Sequence, residues 1–227
     1  MSSGFTGEMR TRTDSIWSAI HAHPFVRGIG DGTLPQDRFQ FYLEQDYVYL
    51  MGFSRVIALA TAKAETLEEM QRLSTLLEVT LSREMELHRR TCASFGMDLA
   101  RLERTEPGLV TAAYTNGLLR VCYEGRLSDI VAVLLPCEAG YVEIASRLRE
   151  QGLPAPGPYR DWIETYGSPE MRALAEWLAR HMDTTAAESA PGDRDRWLAL
   201  YRMSARFELL FFCMSWEKSP WPACVPG

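Results

Sequence analysis

PQDRFQFYLEQDYVYLMGFSRVIALATAK, residues 35–63, decides the fold class. On a wheel of about 100° per residue, Phe39, Tyr42, Leu43, Tyr49, Leu50, Phe53 and Ile57 share one face. Period-two alternation is absent. An apolar stripe of this length at helical spacing is an amphipathic helix laid on a core. The same spacing recurs on both sides of it. The pattern predicts a first helix over 8–21 and a Gly-rich stretch of turns over 23–35. Thr33 is the expected cap, and Pro35 the first turn, of the helix that runs to 63. Further helices are predicted over 66–95, from Pro107 and Gly108 to 125, and from a Ser128 cap to 151. A loop over 153–160 leads into a short helix, DWIETYG. Ser168 and Pro169 open a helix ending near 182, and APGDR at 190–194 opens the last, which ends near 218. The connections are short and no strand is evident. This implies an all-α, single-domain helical bundle over 1–227, with its core at about 10–217 and a short tail at 218–227. That tail should be poorly ordered unless it docks on the body.

Composition narrows the function classes. The chain has 227 residues, 46% of them hydrophobic and 24% charged, enough for one sizeable core. A net charge of −6 leaves no basic excess to neutralise phosphates, so no nucleic-acid partner is expected. No uncharged apolar run approaches 18 residues, so no membrane partner is expected either. The first residues carry no apolar signal segment. The five cysteines are odd in number and contain no CxxC pair. A disulfide framework and a thiolate zinc site are therefore disfavoured, and the reducing cytoplasm is the expected location.

Three polar residues interrupt apolar stripes. Asp46 lies mid-face on the 35–63 helix, with Glu44 and Arg55 outside that face. Cys137 shares a stripe with Ile130, Val133, Leu134, Tyr141, Ile144 and Leu148. Glu208 shares one with Trp197, Tyr201, Phe211 and Phe212. Buried carboxylates without partners are expensive and usually neutralise. The wheels alone leave two readings: a buried polar network that fixes helix packing, or stripes that converge on a ligand pocket. Cys137 alone is either a packed core residue or a nucleophile. Pro136 precedes it inside a helix interior, which costs about 3 kcal/mol and marks a site where function overrides local preference.

Weaker patterns have plainer readings. GIGDG at 28–32 does not follow a strand and is a turn. His21 and His23 lack a third ligand. Glu84 and His88 lie four apart on one helix face and read as a surface or supporting pair, since no second ferritin-like ExxH copy exists.

Taken together, HPFVRGIGDGTLP at 23–35, FYLEQDYVYL at 41–50, LLPCEAGYVE at 134–143, WIETYG at 162–167 and FELLFF at 207–212 resemble the TenA, or thiaminase II, family, in its cysteine-bearing class. The resemblance implies a haem-oxygenase-like all-α bundle without haem, usually a homotetramer. It implies hydrolysis of 4-amino-5-aminomethyl-2-methylpyrimidine to the hydroxymethyl pyrimidine in thiamin salvage, with slower cleavage of thiamin. No metal or organic cofactor is implied, and the partner is the small pyrimidine substrate. By the same resemblance Cys137 is the nucleophile, Glu208 the acid of the last helix and Asp46 the acid that binds the amino edge. Tyr49, Tyr114, Tyr141 and Tyr166 are the pocket tyrosines. Position 138 departs from the pattern, being Glu where relatives often carry an aromatic residue. Two rival classes remain: a non-catalytic regulatory protein of the same family, or a helical oxidase on the same fold.

Overall fold

The computed structural model describes residues 4–222 and residue 224. Among these residues there are helices and no strand, and no helix is long and apolar enough to cross a membrane. The order is α1 Phe5–Thr11, α2 Asp14–Ala22, α3 Pro24–Asp31, α4 Gln36–Ala62 and α5 Leu67–Val79. A five-residue π turn, Thr80–Glu84, joins α5 to α6 Met85–Ser94. Then come α7 Leu99–Glu103, α8 Leu109–Glu124, α9 Leu127–Gln151, α10 Pro158–Tyr166, α11 Pro169–Ala187 and α12 Pro191–Glu217.

The architecture is organised around α9. This helix packs against α12 and α11 most extensively, and also against α8 and α10. Its sequence accordingly reads apolar nearly all round, the pattern of a central helix. Val131, Ala132, Leu135 and Ala145 are buried alongside the stripe of Ile130, Val133 and Leu134. The helix runs through Pro136 as one element. Long α4 packs against α8 and α5, and α12 closes the bundle against α9, α2 and α8.

Local chemistry sets the ends, and several differ from the sequence expectation. The expected first helix breaks at Arg12–Thr13, where Thr13 Oγ1 donates to the Met9 carbonyl at 2.8 Å and competes with the backbone ladder. The expected turns at 23–35 contain a helix instead. His23 caps α3 by accepting from the Phe25 amide, and Pro24 occupies its first position. Only Gly32, with φ 72°, turns left-handed and ends α3. Pro35, not Thr33, is the N-cap of α4. The long helix expected over 66–95 starts as predicted, with a Thr66–Glu69 capping box, but the π turn divides it. The α9 cap is Arg126, not Ser128. The short α7 was not predicted, and α11 runs five residues beyond its predicted end. The tail docks as far as Pro220, whose carbonyl accepts from the Leu109 amide at 2.6 Å; the rest of it lies partly outside the described residues.

One close approach ties α2 to α9. A methyl group added at Gly140 would overlap the buried Trp17 ring. Gly140→Ala should therefore lower stability by about 1–3 kcal/mol through overpacking. Urea denaturation measures this, and an unchanged midpoint would mean that the indole moves aside freely.

Candidate active site

The bundle brings the sequence-predicted residues together. Asp46 and Tyr49 of α4, Cys137 and Tyr141 of α9 and Tyr166 of α10 line one small hollow, with Glu84 and Glu138 beside them. Glu208 of α12 and Tyr114 of α8 sit directly behind, and Glu208 lies close enough to the Cys137 thiol for the two to act on each other electrostatically. Asp46, Glu84, Glu138 and Glu208 are each no more than 4% exposed, while Cys137 is half-buried. The hollow is closed down. Its free volume is about 10 Å³, room for roughly one water molecule. A heterocyclic ring enters only if side chains move apart. A far larger cleft of about 880 Å³ lies between α1, α9, α11 and α12 and contains none of the residues singled out from the sequence.

Aromatic rings form the walls. Tyr49 packs against Tyr114 with ring centroids 4.9 Å apart, and Tyr141 against Tyr166 at 4.8 Å. Trp162 backs Tyr166 at 4.7 Å. The Tyr49 hydroxyl is buried and makes no hydrogen bond. It is a free polar tip inside an apolar wall.

Asp46 is held from behind. Its Oδ2 lies 2.8 Å from His88 Nε2, and His88 Nδ1 lies 2.8 Å from the Glu84 carbonyl. A carbonyl only accepts, so Nδ1 carries a proton. Burial disfavours the imidazolium. The hydrogen bond and charge of Asp46 outweigh it and hold His88 above the ordinary histidine range. Glu84 and His88 are therefore not a surface pair. The π turn that ends at Glu84 sets its side chain into the hollow, and π bulges often mark functional sites.

Among the described residues no cation is hydrogen-bonded to the other acids, and only Glu84 lies near enough to His88 to be influenced by its charge. Burial, followed by the charge of Asp46, pushes Glu84 up to about 7. Burial, followed by the charges of Glu84 and Glu208, holds Glu138 well above the carboxylate range. Burial pushes Glu208 up to about 8, against the opposing hydrogen bond of Tyr114. Burial and the charges of Glu208 and Glu138 also hold the Cys137 thiol well above its ordinary value.

Counting protons favours a protonated Glu208 as well. Ser204 Oγ lies 2.8 Å from the Val133 carbonyl, so the single Ser204 proton goes there. Tyr114 Oη lies 2.8 Å from Ser204 Oγ, so Tyr114 must be the donor in that contact. Tyr114 Oη also lies 2.5 Å from Glu208 Oε1. The Tyr114 proton being used, a protonated Glu208 supplies this one. An ionised Glu208 would take the tyrosine proton, and either the Tyr114–Ser204 or the Ser204–Val133 contact would then be left without one.

Sequence reasoning isolated Asp46, Cys137 and Glu208, and the structure places all three at this site. It missed the part played by His88 and Ser204. Glu138 was noticed only as a departure, although it is as deeply buried as Asp46.

Comparison with known proteins places the chain among relatives. The TENA/THI-4/PQQC family profile matches residues 10–218. An aminopyrimidine aminohydrolase of Halalkalibacterium halodurans is 36% identical over 220 residues, covering 96% of this chain and 97% of its own. The structure of a TenA homologue from P. horikoshii OT3 superposes with a TM-score of 0.86 at 31% identity, over 94% of this chain and 99% of that one. A domain of unknown function with a heme oxygenase-like fold, from Shewanella denitrificans OS217, superposes at 0.68 with 14% identity, over 94% of this chain and 92% of that one. It bears on the fold alone. With a family match over nearly its whole length and a helical bundle of the heme oxygenase type, the chain belongs to the TENA/THI-4/PQQC family.

Proposed function

We propose that the protein is an aminopyrimidine aminohydrolase of the thiaminase II type. It hydrolyses 4-amino-5-aminomethyl-2-methylpyrimidine to the hydroxymethyl pyrimidine, and thiamin more slowly, in thiamin salvage. The observation that carries this reading is the meeting of one thiol and two carboxyl groups, Cys137, Asp46 and Glu208, at a single buried hollow. The likeness to the H. halodurans aminohydrolase supports it.

The difficult step is breaking a C–N bond at an exocyclic carbon on an aromatic ring. Adding a nucleophile to the ring divides it into easier steps. The thiol of Cys137 adds to the ring carbon beside the substituted one. A free thiolate is disfavoured here, because burial and neighbouring acids hold the thiol proton on. Glu208, close behind the thiol, resolves this. It accepts the sulfur proton and delivers one to the ring nitrogen, so its own protonation is unchanged. The ring amino group then lends its lone pair, the C–N bond breaks and the amine departs. Asp46 accepts hydrogen bonds from that amino group and stabilises its developing positive charge, while His88 holds Asp46 in place. Water adds to the exposed methylene, and the sulfur leaves as its proton returns. Tyr49, Tyr114, Tyr141 and Tyr166 hold the ring between aromatic faces. The scheme requires no metal or organic cofactor. A homotetrameric assembly and a cytoplasmic location belong to the same proposal, the first testable by light scattering.

Cys137→Ser should abolish ammonia release while leaving binding of the hydroxymethyl product largely intact. Full turnover in that variant would remove the covalent route. Asp46→Asn should raise the Michaelis constant at least tenfold, since a hydrogen bond to a charged group is worth about 1.5–3 kcal/mol; an unchanged constant would leave Asp46 a packing role only.

The pH profile tests Glu208. A carboxyl raised to about 8 is protonated below that pH, so activity needing the proton falls as pH rises through 8. Ionising Glu208 sacrifices one hydrogen bond of the line from Tyr114 through Ser204 to the Val133 carbonyl. Ser204→Ala removes this penalty, and the alkaline limb should move down by roughly one pH unit. A profile flat to pH 10, or a limb indifferent to Ser204, contradicts the proton assignment.

A further inference from the structure

Two acidic side chains at the hollow are not used by the reaction outlined above. Glu84 and Glu138 come from the π turn and from α9, they are 4% and 3% exposed, and both line the space beside Cys137. Glu84 Oε1 and Glu138 Oε2 are buried and make no hydrogen bond. Thr80 and Tyr166 lie near enough to Glu84 to ease its ionisation slightly, yet Thr80 Oγ1 itself has no hydrogen-bond partner. The charged groups that act on Glu138 are other acids, Glu84 and Glu208.

Native interiors seldom leave such acceptors unsatisfied. A packing role would be better served by an apolar residue at 138, because a buried carboxyl facing other carboxyls only destabilises the unliganded chain. The two free oxygens therefore call for a donor that arrives with a ligand. The donor should be cationic, since a cation offsets the charge that burial disfavours and draws the protons off both carboxyls, turning them into acceptors. A metal ion is a poor candidate: among the described residues no group of three or more His, Cys, Asp or Glu side chains is arranged to hold one. A primary ammonium fits, with three N–H donors on one compact charge and two acceptors to receive them.

We propose that Glu138 and Glu84 form a subsite for the primary ammonium of the substrate and so set the preference for an aminomethyl leaving group. This rests on the pyrimidine reading of the site. The aminomethyl nitrogen is protonated at neutral pH, and bound as an ammonium it leaves as neutral ammonia, keeping the electron pair of the C–N bond. The thiazolium leaving group of thiamin is also cationic but carries no N–H, so it leaves both oxygens unsatisfied. The pair thus discriminates by hydrogen-bond donors, and a site built to bond a polar hydrogen rejects a ligand that lacks it.

The test is binding and turnover with Glu138→Gln and Glu84→Gln, which keep side-chain volume and relieve acid crowding, so both should fold; thermal melts check this. In a Cys137→Ser background, where turnover is blocked, calorimetry compares the aminomethyl pyrimidine with the hydroxymethyl pyrimidine. Each Gln substitution should weaken the aminomethyl compound about tenfold and the hydroxymethyl compound less than twofold. With Cys137 intact, kcat/KM should fall about tenfold further for the aminomethyl compound than for thiamin. Equal losses for both ligands, or none, overturn the ammonium subsite while leaving the pyrimidine reading standing. If the parent protein binds neither pyrimidine, the functional reading fails and the subsite with it.

Discussion

Four carboxyl groups are buried around one hollow, and only Asp46 meets an imidazole. That imbalance governs the rest of the site. Water would spread these charges cheaply, but the interior cannot, so Glu84, Glu138 and Glu208 hold their protons more tightly than free carboxyls do. Glu208 becomes an acid at neutral pH, the Cys137 thiol keeps its proton, and Glu84 and Glu138 crowd each other with no cation bonded to either among the described residues. Such an arrangement is costly to hold closed and needs a rigid frame. Central α9 supplies it, because it is buried on nearly every side and cannot tilt without disturbing α11 and α12 together.

Much of the fold was legible because helical periodicity is a one-dimensional signal. The stripe of α4 and the Thr66, Ser168 and Ala190–Pro191 starts were readable from residue types alone. What was not legible depended on side-chain competition for backbone groups. The break at Thr13 arises from one hydroxyl taking the Met9 carbonyl, and no periodic pattern records that. The α3 helix hid behind glycines that usually signal turns, yet its Pro24 and His23 form an ordinary helix start. The π turn adds an extra residue to a regular pattern and looked like a continuous helix.

The site divides along the same line. Asp46, Cys137 and Glu208 stood out as polar residues on apolar stripes. Glu84 and His88 were visible as a pair, but their roles depend on the π turn and on the register of α6 against α4, which sequence spacing does not carry. Glu138 sits at the border of the α9 stripe, and a border residue is exposed only when the helix has a free side. This helix has almost none. Ser204 is a small residue on α12, and nothing in its neighbourhood hinted at a role in proton placement. The resting hollow is also tighter than the residue set implied, at about 10 Å³. A ring bound here would have to displace aromatic walls, and the unbonded Tyr49 hydroxyl loses no hydrogen bond when that wall moves.

The proline before Cys137 fits this account through the backbone. Pro136 has no N–H, so the carbonyl four residues earlier, that of Ala132, loses its helical donor. The next carbonyl, that of Val133, receives the Ser204 hydroxyl from α12. A side-chain donor thus enters the α9 backbone one turn before Cys137, and its direction is fixed because a carbonyl accepts only. That fixed direction orients Ser204, then Tyr114, then the proton of Glu208. The acid is kept protonated by burial and by a line of hydroxyls whose last link is main chain. Side-chain hydroxyls alone could reverse together and let Glu208 ionise; a line anchored on a carbonyl cannot reverse without breaking a hydrogen bond. The residues around Pro136 thereby connect the position of the sulfur to the protonation of the carboxyl that serves it.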